Sequence, residues 1–269
     1  MDRRRRFWRV YRALLRAAWA RTLEYRAQLV LWLLSSIFPL VMMVAWLAVI
    51  AEAGPISGWG ESDFLSYYVA STLVYQTTFS WTIWQWDEDI RTGDLSAKLL
   101  KPVDPVHHFL SQQIGAKLLT LLVLVPLVVL AAWLSPQINY PVTAGRLAAF
   151  CLAVAAGYAV NAMMSTAFGM LAFWTTQSSN LFSLWWGIGS FLSGWIAPLA
   201  LFPSAFRQIA GWLPFRSGLG FPLEILTGQL HGAQILSGFA VTAAWLVLFW
   251  WIYRTLWHRG LKNYEAVGA

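Results

Sequence analysis

The chain has 269 residues, 58% of them hydrophobic and only 12% charged, with 18 Trp and a formal net charge of +7. That balance excludes a soluble globular domain, because too few polar residues remain to cover a surface, and apolar runs of about 20 residues read as transmembrane helices. The single cysteine, Cys151, lies in an apolar run; it excludes a disulfide framework and a Cys-based metal site and reads as a small buried or lipid-facing side chain.

The basic start comes first. In RRRRFWRVYRALLRAAWARTLEYR (residues 3–26), Phe7, Trp8, Tyr11, Leu14, Leu15, Ala18 and Trp19 recur at helical spacing with Arg among them. The pattern predicts an amphipathic helix within 1–27, lying in the cytoplasmic interface with Arg towards anionic headgroups. A nucleic-acid-binding arm is disfavoured, since the aromatics share one face and an apolar run follows directly. Arg3–Arg6 and Ala51–Glu52–Ala53 imitate the two ends of a signal peptide. The basic segment and the apolar stretch are both too long for one, so the stretch is read as a retained first span.

Six spans are predicted, at 28–51, 64–86, 114–134, 146–174, 181–201 and 235–257, which leaves no room for an added soluble domain. The fourth is longer than a bilayer requires and should tilt or protrude. Pro39 and Pro126 should kink spans one and three. Asp104–Pro105 looks like an N-cap followed by Pro at the first helical position, so the third helix starts well before its apolar part. Between spans five and six, the Pro- and Gly-interrupted stretch 201–232 predicts short re-entrant or surface-lying helices. The fold class is therefore an all-α integral membrane protein.

With both termini in the cytoplasm, 16 of the 19 Lys and Arg residues fall inside, and only Arg146, Arg207 and Arg216 fall outside. The positive-inside rule then puts the loop 87–105 in the cytoplasm. That loop, DEDIRTGDLSAKLLKPVDP, is a charged island between two apolar runs. Glu88 and Arg91 stand at i,i+3 and Asp94 and Lys98 at i,i+4, so both pairs can meet on a helix surface. Gly93 should end one helical piece, Asp94 cap a second over Leu95–Leu100, and Pro102 stop it. Leu95 and Leu99 would share a face. The residues alone permit either a docking knob or a solvated connecting loop.

Other chemistry is sparse. Gln76 and Asn161 sit mid-span, where an uncharged amide more often bonds a neighbouring helix than marks a pathway. Apart from Lys117, near one end of span three, no Asp, Glu or Lys lies deep in a span. That disfavours a proton- or ion-coupled secondary carrier or a stand-alone channel. His107–His108 cannot face one metal together, no zinc-ligand spacing occurs, and no catalytic triad or carboxylate pair can be argued, which disfavours a metal site and an intramembrane lipid-modifying enzyme. The chain lacks a GxxxxGK[ST] loop and so cannot itself cradle nucleotide phosphates.

Several motifs carry a family resemblance: Tyr25-Arg26, the run WTIWQWDEDIRTGDLSAKLLKPVDP, the LPF at 213–215 and the tail RGLKNYEAVGA. The most specific patterns are IRxGxLxxxLLxPxxP (Ile90, Arg91, Gly93, Leu95, Leu99, Leu100, Pro102, Pro105) and RGxxxY (Arg259, Gly260, Tyr264). Over essentially its whole length the chain resembles the six-span permease subunits of type-2 ATP-binding-cassette exporters, and within them a bacterial subfamily of uncharacterised transport system permeases. The resemblance implies a bacterial inner-membrane location, a cytoplasmic ATPase dimer as partner, and ATP and Mg bound by that ATPase, with no cofactor on this chain. It implies a second permease, identical or a related sister, contact with membrane lipids, and no nucleic acid. It assigns ATPase coupling to Asp87, Glu88, Ile90, Arg91, Gly93, Leu95 and Leu99. Because spans two and five line the family's central cavity, Tyr75, Gln76, Trp81, Trp185 and Trp186 become candidates for the substrate path of an alternating-access exporter. The Trp-rich path favours an amphipathic or lipid-like cargo.

Overall fold

The computed structural model describes residues 3–24, 37–101, 103–262 and 264. Among them there are twelve α-helices and no β-strand. In chain order these are α1 (Arg3–Glu24), α2 (Ile37–Ala53), α3 (Glu61–Thr78), α4 (Thr82–Thr92), α5 (Leu95–Leu99), α6 (Pro105–Leu134), α7 (Ala144–Gly169), α8 (Ser178–Leu192), α9 (Ser204–Trp212), α10 (Pro214–Gly218), α11 (Gly220–Leu226) and α12 (Ala233–Gly260). Three of them are long and apolar enough to cross a bilayer: α6, α7 with its 3-10 extension to Phe173, and α12; α2 is a shorter apolar helix. The molecule is an all-α, multi-pass membrane protein.

Helix starts follow local chemistry. The Asp104 carboxylate accepts from Val106 N at 3.0 Å with Pro105 in the first turn, as the sequence predicts, and the 30-residue α6 then runs for about 45 Å. Thr143 caps α7 in the same way, its hydroxyl accepting from Arg146 N at 3.2 Å. The first turn of α3 is tied back by Asp63, whose carboxylate accepts from Gly60 N at 2.9 Å. For the predicted span 28–51, residues 28–36 lie outside the described residues, as do Tyr25, Arg26 and Pro102.

Two predicted spans are not continuous helices. Span two, expected over 64–86, ends as helix at Thr78 and restarts at Thr82. Span five, expected over 181–201, ends as helix at Leu192. There the chain turns through Gly194 at φ +92°, where a Cβ would stand 2.4 Å from the Tyr67 hydroxyl. Tyr67 donates to Gly194 O at 2.7 Å, Tyr68 to Ile196 O at 2.7 Å and Trp46 Nε1 to Ile196 O at 3.0 Å. Side chains of α2 and α3 thus take up carbonyls of the turn that follows the helix.

The interior divides at the break in span two. One apolar cluster gathers α3 residues Phe64, Tyr67, Tyr68 and Val74 with Leu219 and Leu223. A second gathers Ile83, Trp86 and Ile90 of α4 with Leu95, Phe109, Val160, Met164, Phe182 and Trp257, and a small third joins Ala153, Phe221 and Ile225. Between spans five and six the short helical pieces form as expected, but α10 and α11 are buried in the bundle, and only α9 keeps an exposed flank. The Arg216 guanidinium forks onto the Glu224 carboxylate within this buried segment. At the other end α1 packs on α6: Ala18 is buried, and a Cβ at Gly115 would come within 2.9 Å of it. Tyr11, Leu14 and Leu15 are half-buried while Arg9, Arg12 and Arg16 are exposed, and Trp19, expected on the apolar face, is exposed as well.

Candidate functional site

The charged island folds into two short helices with a sharp turn. Gly93, at φ +84°, closes α4 in the left-handed conformation that glycine adopts without strain, and α5 follows at once. Within the island the sequence-predicted residues part company. Asp87, Ile90 and Leu95 are buried, and Glu88, Arg91 and Leu99 are exposed. Leu95 is fully buried in the α4 cluster, whereas Leu99, one turn on, is 38% exposed. The exposed tip is Leu99 with Leu100, which is 89% exposed.

The expected ion pairs also change partners. Arg91 Nε meets Asp87 Oδ2 at 3.0 Å rather than Glu88, and Lys98 pairs with Asp89 rather than Asp94. Asp94 makes no capping bond with its side chain and accepts from the Thr92 hydroxyl at 3.0 Å. Lys98 also lies 4.6 Å from the centre of the Phe109 ring, so α5 is held onto α6. Burial pushes the Asp89 carboxyl up from the usual carboxylate range, with the Lys98 ammonium pulling the other way. Asp87 does most to tie the island to the bundle. Its second oxygen accepts from the hydroxyl of Ser178, the first residue of α8, and Ser178 is wholly buried. An acid there also complements the positive end of α8.

Midway along the bundle, three residues, Phe79–Trp81, separate α3 from α4, and side chains of α6 and α7 reach the backbone there. Lys117 Nζ donates to Gln76 O at 2.8 Å and Phe79 O at 2.5 Å. Asn161 Nδ2 donates to Thr78 O at 3.1 Å. The Gln113 amide oxygen accepts from Trp81 N at 2.7 Å and Thr82 N at 2.8 Å, its nitrogen donating to the Ser80 hydroxyl at 3.0 Å; these donors decide the amide's orientation. Ser165 Oγ accepts from Ile83 N at 2.9 Å. Backbone groups that a membrane interior could not leave open are thus paired with side chains.

Beside the break lies a cavity of about 60 Å³. It has room for a few waters and is well below the size of a pocket for a drug-sized ligand. Tyr75, Trp185 and Trp186 line it, together with Phe79, Ser80, Asn161, Ser190, Ser193 and Trp195. Gln76 and Trp81 do not line it: the Gln76 carbonyl faces Lys117, and Trp81 is exposed, its ring edge-on to Phe79 with centres 4.5 Å apart. Four rings from three segments stack along one side. Phe38 lies 4.1 Å from Trp195, Trp195 5.1 Å from Tyr75, and Tyr75 5.2 Å from Phe79. Sequence reasoning missed Gln113 and Trp195, and it gave Leu100 a place in the pattern without marking it as the exposed tip. It read Asn161 as an amide bonding a neighbouring helix, and Asn161 does so. The readable signal for the break was Lys117, a lone cation inside a span with no acid nearby in sequence.

Among the described residues no cluster of His, Cys, Asp or Glu could hold a metal ion. Comparison with curated proteins returns no match. Comparison with family models returns one, described as ABC-2 family transporter protein and covering residues 36–268.

Proposed function

From the premise that this chain belongs to the ABC-2 transporter family, we propose that it is the six-span permease subunit of an ATP-driven exporter in a bacterial inner membrane, with both termini in the cytoplasm. The spans are 28–51, α3 with α4, α6, α7, α8 and α12. A separate ATPase dimer binds ATP and Mg, and two permease chains, identical or sisters, enclose the path. The observation that carries the reading is the α4–α5 island: an exposed knob whose tip is leucine and whose root is buried. Leu99 and Leu100 with the exposed charges of Glu88 and Arg91 supply an apolar anchor with a polar rim, as protein interfaces use. Asp87, Ile90, Gly93 and Leu95 shape the knob from within.

In this reading ATP-driven closure of the ATPases pushes the knob. The Asp87–Ser178 link passes that movement to α8, whose Trp185 and Trp186 line the cavity. The small cavity corresponds to a closed path, and its aromatic and neutral polar lining favours an amphipathic or lipid-like cargo.

The test is reconstitution. Co-purified with its partner ATPase, the permease should support ATP hydrolysis and ATP-dependent transport in vesicles. Charge reversal at Glu88 and Arg91 together, or Leu100→Asp, should dissociate or uncouple the complex. Normal ATPase binding and transport by those variants would remove the coupling assignment. Transport in vesicles without any ATPase would favour a secondary carrier instead.

A further inference from the structure

The segment 72–86 contains neither Pro nor Gly; Thr77 and Thr78 bond back to Leu73 O and Val74 O, which bends a helix, and a full break further calls for a side chain inserted into the helical ladder. The inserted group is Lys117. In a continuous helix Gln76 O would accept from Ser80 N, and Phe79 O from Ile83 N. Those are the two oxygens that Lys117 Nζ holds. The competing donors are engaged as well, since Ile83 N is taken by Ser165, and Trp81 N and Thr82 N by Gln113. The carbonyl that Thr82 N would seek, Thr78 O, is held by Asn161. Gln76 O, Thr78 O, Phe79 O, Trp81 N, Thr82 N and Ile83 N therefore each have two alternative partners: side chains of α6 and α7 in the broken form, and backbone groups of the same span in a straight helix. The two halves are also rooted in different apolar clusters, α3 in one and α4 in the other.

We propose that residues 79–81 are a hinge between a broken and a straight form of span two, and that Lys117 is the positioning residue that selects the broken form. It acts through Phe79. Straightening the helix moves that ring, which lines the cavity and ends the four-ring stack, so the hinge changes the cavity's shape. The motion during transport rests on the permease reading above; the choice between the two forms does not.

The experiment uses the full permease in nanodiscs, with Cys151→Ser and spin labels at Glu61→Cys and Trp84→Cys. A continuous helix fixes these positions about 35 Å apart along its axis. The permease with Lys117 intact should give the separation of the broken form. Lys117→Met should raise the population at the straight-helix separation by on the order of tenfold, because two carbonyls lose their donor in a membrane interior. Lys117→Arg should restore the original distribution. An unchanged distribution in Lys117→Met overturns the proposal. If that variant does not accumulate, the same labels in the ATPase complex decide: the separation should shift between nucleotide-free and ATP-trapped states, and identical distributions overturn the hinge. An ATPase that never stimulates transport overturns the permease reading and leaves the first comparison intact.

Discussion

Asp87 offers the sharpest test of how the island is fastened to the bundle. Its carboxylate is 8% exposed and holds two partners, the fully buried Ser178 hydroxyl and the half-exposed Arg91 guanidinium. Asp87→Ala leaves the Ser178 hydroxyl buried without an acceptor, at a cost of about 1–3 kcal/mol. The Arg91 pair adds no more than about 1 kcal/mol, because solvent screens its exposed side. Ser178→Ala alone removes one hydrogen bond to a charged group and costs about 1.5–3 kcal/mol. Once either partner is gone the other has little left to lose, so the double variant should cost far less than the two single changes together. The expected coupling is about 1.5–2 kcal/mol, read from denaturation in mixed micelles followed by tryptophan fluorescence. Additivity within about 0.5 kcal/mol would refute the link between α4 and α8.

Leu95 and Leu100 should behave as opposites. Leu95→Ala, in a fully buried site, should destabilise by about 2–5 kcal/mol in the same assay. Leu100→Asp should stay within about 0.5 kcal/mol while weakening ATPase capture about tenfold. Gly169→Val should destabilise by about 1–3 kcal/mol, because a Cβ there already meets Trp86 Cβ at 2.6 Å. Asp89 has a folded-state pKa raised above the unfolded one, so the unfolded chain loses its proton first as pH rises. Its contribution to stability is full below the ordinary carboxylate range and declines as pH rises through the folded value. Unfolding followed across acid pH should show this decline in the native chain and a shallower one in Asp89→Asn.

Patterns with a short-range physical cause were legible in the residues. The cap at Asp104 and the stop at Gly93 each follow from contacts within one or two helical turns. The split of span two was not legible, since Phe79, Ser80 and Trp81 are all compatible with an apolar helix. The end of α8 at Leu192 was equally hidden, because it depends on Tyr67, Tyr68 and Trp46 reaching carbonyls about 130–150 residues away in sequence. In the island, spacing paired Glu88 with Arg91 and Asp94 with Lys98. Each cation instead chose an acid that the bundle had already partly desolvated, where attraction is screened less.

By itself the sequence determined that this is an all-α membrane protein with a charged island between two apolar runs, because apolar length and charge placement are properties of the chain that no packing can reverse. Only the tertiary structure decided which island residues face outwards, that Asp87 belongs to α8 as much as to its own helix, and that span two is two helices. Those outcomes turn on which side chains reach an unpaired backbone group or a buried charge. Lys117, Gln113, Asn161 and Ser178 do so from helices that only the fold brings alongside.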